Sequence, residues 1–134
     1  MTARFAAALA IGLLLVACAA PATEEGFNRL FCEADVALEV AITEVTGGLE
    51  REEWLSATRS ALLDYRDDLD RLPDWPPARD AKGELMNALD AALDLIESGA
   101  AGELIESARW EDAINTMLSA REAIRTVAGP CLRV

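Results

Sequence analysis

From about residue 24 onward, apolar residues return at intervals of three and four, the spacing of one face of an α-helix. Phe27, Leu30, Phe31, Ala34, Leu38, Ala41, Ile42 and Val45 form the first such stripe, and Gly47-Gly48 ends it. Thr23, followed by Glu24 and Glu25, supplies a helix start with acids in the first turn. A second helix is predicted from Leu49 to Leu72 on Leu55, Leu62, Tyr65, Leu69 and Leu72, with Trp54 and Ala61 beside them. Pro73, Pro76 and Pro77 then break the chain. A third helix, Ala78 to Ser98, carries Ala81, Leu85, Ala88, Leu89, Ala92, Leu93 and Ile96 on one side, and SGAAG closes it. The fourth is expected from about Glu103 to Ala128 through Leu104, Ala108, Ile114, Met117, Leu118, Ile124 and Val127, stopped by Gly129-Pro130. No strand alternation competes. Four helices of about twenty residues with short connections imply an up-down-up-down bundle.

The residues ahead of this pattern are different in kind. Arg4 precedes an apolar run, Phe5 to Val16, of signal-peptide length and short of the roughly twenty residues that span a bilayer. It stops on Leu15-Val16-Ala17-Cys18. These four residues resemble the lipobox of bacterial lipoproteins. The resemblance implies lipidation of Cys18, cleavage after Ala17, and a mature chain held by acyl chains, palmitate among them, on the extracytoplasmic side of the membrane. Ala19 stands where Asp marks inner-membrane retention, so in a diderm the resemblance implies the outer membrane. Ala17-Cys18-Ala19 also fits ordinary secretory cleavage, which releases a soluble protein. The resulting division is 1–17 signal peptide, 18–24 lipidated tether and 25–134 helical domain. At about 0.8 kcal/mol per buried methylene, two or three chains hold firmly where one exchanges.

Outside the cytoplasm, an isolated cysteine pair is expected to be bridged. Cys32 and Cys131 are the cysteines beyond Cys18. In an up-down-up-down bundle, the start of helix 1 and the end of helix 4 share one end, where this pair falls. The expectation is therefore an all-α four-helix bundle closed by one disulfide.

Charge narrows the partners. The 134 residues carry a formal charge of −12. Cleavage removes Arg4 and no acid, which makes the mature chain more acidic still. Such a field repels nucleic acid and anionic head groups and favours cationic partners or divalent cations, besides keeping the chain soluble.

Chemistry is harder to find. Histidine is absent, which removes the Ser-His-Asp and Cys-His nucleophile systems and the Glu-x-x-His pairs of di-iron bundles. No phosphate-binding glycine motif occurs. No enzyme activity, cofactor or dedicated metal site is implied. The densest acidic stretch, DYRDDLDRLPD, contains Asp64, Asp67, Asp68, Asp70 and Asp74. Read as a calcium loop from Asp68, it places Leu72 and Pro73 where an acid and a glycine are required. Asp64 and Asp68 share a helical face and offer weak divalent-ion binding, with a solvated, arginine-interleaved face as the plainer account.

The tryptophans offer a surface. If helix 1 leads away from the tether, Trp54 and Trp110 both lie within about two turns of the far end, as core packing or as a docking patch. Trp75, beside Asp74 in the proline loop, falls at the near end, where it plugs the bundle, meets the interface or binds a partner. The expected role is a lipid-anchored, non-enzymatic accessory or inhibitor that binds a protein, with a cationic partner suiting the charge. The alternative is a divalent-cation or small-ligand binder using the Asp64–Asp80 region.

Overall fold

The computed structural model describes residues 23–45 and 47–131. Leu15-Val16-Ala17-Cys18, the stretch that resembles a lipobox, lies outside the described residues. Four α-helices occur among those described: α1 Glu24–Val45, α2 Arg51–Asp70, α3 Arg79–Ala100 and α4 Ser107–Ala128. A single 3-10 turn, Pro76–Ala78, precedes α3. Each helix packs on the next, and α1 returns to α4, so the four close a ring in up-down-up-down order.

Local chemistry accounts for the boundaries. Thr23 caps α1: its Oγ1 accepts from the Gly26 N–H at 3.1 Å, with Glu24 and Glu25 in the first turn. Gly48, at φ 78°, makes the turn into α2. Pro76 sits at the start of the 3-10 turn, where its missing N–H leaves no bond unmade. Gly99 lies buried in the last turn of α3, and a Cβ there would stand 2.7 Å from Ile105 Cδ1. This close approach lets the α3–α4 connection fold back over Leu55.

The core runs through Phe27, Phe31, Leu38, Leu62, Tyr65, Leu69, Leu85, Leu89, Ile96, Met117 and Ile124. The expected stripes of α2 and α3 are buried throughout their leucines and Tyr65. Two expectations need correction. The fourth helix begins at Ser107, not near Glu103, and Leu104 is 91 % exposed in the connection. Its buried face is Ala113, Met117, Ala120, Arg121, Ile124 and Ala128, while Ala108, Leu118 and Val127 are exposed. Small residues let α4 lie close to its neighbours, which turns the larger apolar side chains toward its flanks. On α1, Ile42 is also exposed, at 40 %, because the far end of that helix does not close against α4.

Candidate functional site

The seam between α1 and α4 changes character along its length. At its base, Cys32 and Cys131 are bridged, with Cα atoms 5.5 Å apart. One turn further along α1, Asp35 is buried at 2 % exposure, and α4 supplies two guanidiniums to it. Arg121 Nε donates to Asp35 Oδ1 at 2.7 Å, and Arg125 Nη2 donates to Oδ2. The Tyr65 hydroxyl of α2 adds a third donor to Oδ1 at 3.3 Å. Glu39 stands outside, 3.8 Å from Arg121 and 3.9 Å from Arg125. The two acids and two arginines balance in charge.

Burial pushes the Asp35 carboxyl up, but the guanidiniums of Arg121 and Arg125 outweigh it and hold the group below the ordinary 3.8. Burial, then the adjacent Asp35 carboxylate, raise the Tyr65 phenol above its ordinary range. Burial lowers the Arg121 guanidinium, and its bond to Asp35 more than restores it. Asp35 therefore stays ionised and Tyr65 stays a donor at neutral pH. Neither Asp35 nor the pairing of Arg121 was recognised from sequence. The available signal was an acid at position 35 on the apolar stripe, between Ala34 and Leu38, together with two arginines one turn apart on α4.

Beyond the ionic layer, the seam opens into an apolar cleft of about 230 Å³. Ile42 and Val45 of α1 line one side, and Ile114, Met117 and Leu118 of α4 the other. Trp54 and Trp110 meet across it, ring centroids 5.6 Å apart and edge to face, each half-buried. The two tryptophans are thus both packing partners and cleft wall. Thr58 contributes a buried hydroxyl with no hydrogen-bond partner among the described residues.

Trp75 is not part of this cleft. Its ring lies 5.3 Å from Phe27 and packs against the base of the core, the plug arrangement. Asp74, expected with it as a binding residue, is held by Arg79 through two bonds of 3.0 and 2.9 Å, and that pairing keeps its carboxyl below the usual range. The acids of the proline loop and its approach are partly paired in the same way: Asp70 with Arg66 at 3.3 Å and Asp68 with Arg71 at 3.7 Å. Asp64, Asp67 and Asp80 are exposed. Among the described residues, no three carboxylates or cysteines come together as a metal site would need. No described helix is long and apolar enough to cross a membrane.

The Trp54–Trp110 cleft lies at the far end of the bundle from the Cys32–Cys131 bridge. Comparison of the chain with protein-family models, with curated proteins and with solved structures finds no match.

Proposed function

We propose that the chain is a bacterial lipoprotein, lipidated at Cys18 and facing outward in the cell envelope, on the outer membrane in a diderm. It acts by binding a protein rather than by catalysis, as an accessory or an inhibitor. The signal-peptide pattern ending at Leu15-Val16-Ala17-Cys18 supports the anchor. The observation that carries the binding reading is the half-buried Trp54–Trp110 pair bordering an apolar cleft. Aromatic side chains beside a pocket are what protein interfaces use as anchoring contacts. The cleft lies a helix length, about 33 Å for the 22 residues of α1, from the Thr23 end. A tether at Cys18 would present it away from the membrane.

The acid-rich surface fits a cationic partner and governs the rate of its capture more than its affinity. The test is crosslinking in intact cells, with the wild-type chain and Cys18→Ala compared in membrane and soluble fractions, alongside labelling with radioactive palmitate. The expected result is palmitate on the wild type alone, with a basic protein crosslinked in the membrane fraction. Absence of label on the wild type removes the anchor, and absence of any crosslinked protein removes the binding role.

A further inference from the structure

The cleft is small. Its 230 Å³ lies below the roughly 300–1,000 Å³ of ordinary small-molecule sites, and its wall is apolar apart from Thr58 and Arg121. Asp35 already engages the Arg121 side chain. What such a space accepts is one bulky apolar group, with the two tryptophan rings against it.

The rim adds a sign. Glu50 stands one helical turn before Trp54, and Glu111 and Glu122 lie two turns before and one turn after Leu118 on the same side of α4. All three are exposed, and none forms an ion pair with a described residue. The nearby cations are spent or turned elsewhere. Arg121 and Arg125 are matched by Asp35 and Glu39. Arg51 donates to the Glu103 carbonyl in the α3–α4 connection, and Arg109 borders a separate groove with Glu84 and Asn87. The cleft is therefore an apolar socket with exposed carboxylates that make no ion pair among the described residues one or two helical turns from its lining side chains on α2 and α4. The proposed tether does not reach it: residues 18–22 extend at most about 18 Å, against the length of α1.

Resting on the protein-binding reading above, we infer that the cleft receives a single large aliphatic or aromatic side chain from a partner segment carrying Lys or Arg on both sides of it. The apolar group fills the socket and excludes water, and the flanking cations meet Glu50, Glu111 and Glu122.

Two cleft tryptophans make the idea directly measurable. In a Trp75→Phe variant, the remaining fluorescence comes from Trp54 and Trp110. The probes are acetylated, amidated heptapeptides with a central phenylalanine flanked by lysines, the same peptide with a central serine, and the same with glutamate flanks. The lysine–phenylalanine peptide should shift the emission saturably. The other two should bind at least about tenfold more weakly, the difference expected when either the apolar or the charged contribution is lost. Leu118→Ser, at a half-exposed position, should keep the helical circular dichroism and lose the shift. Glu111→Gln with Glu122→Gln should weaken it and flatten its salt dependence.

No shift at saturating peptide, or equal shifts from the lysine and glutamate peptides, overturns the inference. A shift from decanoate but from no peptide overturns it in favour of an acyl ligand. If a protein crosslinks in cells while the cleft ignores every peptide, only the inference fails and the binding surface lies elsewhere. If neither responds, the binding role falls with it.

Discussion

Asp35 is stable in a hydrophobic interior because three donors converge on it and its charge is matched. A buried pair of this kind adds little over a well-packed apolar replacement, but it is costly to break from one side. Asp35→Asn should therefore destabilise the domain by about 3–5 kcal/mol in chemical denaturation, since it strands Arg121 at 9 % side-chain exposure. The triple variant Asp35→Leu, Arg121→Met and Tyr65→Phe, which removes every buried partner together and leaves Arg125 to Glu39, should recover most of that loss. The pH dependence has a definite sign. A carboxyl whose folded pKa lies below its unfolded 3.8 contributes its full stabilisation above the unfolded value and loses it as pH falls through the folded one. The wild type should lose stability between about pH 5 and the region below 3.8, a component that Asp35→Asn should lack when the two denaturation series are compared. At this scale the sequence was only half legible. Arg121 and Arg125 lie one turn apart on α4, but their partner lies 86 residues away from Arg121, and no local pattern connects such residues.

The helices differ in how clearly they announced themselves. In α2 and α3 the large leucines are the buried residues, so hydrophobic period and burial coincide. In α4 half of the buried face is alanine, which carries little hydrophobic contrast, and Leu118 and Val127 drew the predicted stripe to one side. The difference is measurable. Met117→Ala should cost about 2–5 kcal/mol and Ala120→Leu about 1–3 kcal/mol by overpacking, whereas Leu118→Ala should cost less than about 1 kcal/mol. Urea titrations of the three variants would check the order, and a Leu118→Ala loss as large as that of Met117→Ala would restore the sequence-predicted face. The Trp54–Trp110 contact was legible only as proximity to one end of the bundle. Their meeting is a contact between α2 and α4, which no helix period encodes. The cysteine pair was the reverse case, because topology alone brought Cys32 and Cys131 together. Replacing both by serine should cost about 2–4 kcal/mol, under a ceiling near 4.7 for a loop of this length.

Across the whole molecule, the excess of acid opposes compaction, and screening relieves that repulsion within a Debye length of about 10 Å at 0.1 M salt. The melting temperature should rise by a few degrees between about 0.02 and 0.5 M sodium chloride, since the exposed ion pairs, such as Arg59–Glu97 at 3.7 Å, are worth too little to reverse the trend. A fall with salt would show that ion pairs outweigh the net charge. The disulfide has a further consequence, in mechanical terms. A load applied at residue 23 and resisted at the Trp54–Trp110 cleft can unwind α1 only as far as Cys32. There it meets a covalent crosslink to Cys131, just past the end of α4. The nine residues before it reach about 30 Å when drawn straight, about 17 Å beyond their helical length. Beyond that length, tension bypasses the rest of α1 and passes along α4 to Trp110. In single-molecule pulling between residues 23 and 110, the oxidised chain should reach at most the contour of residues 23–32 and 110–131, about 110 Å, whereas the reduced chain can be drawn out over every residue between 23 and 110. The bridge makes the domain a limited-stretch coupler between its two ends.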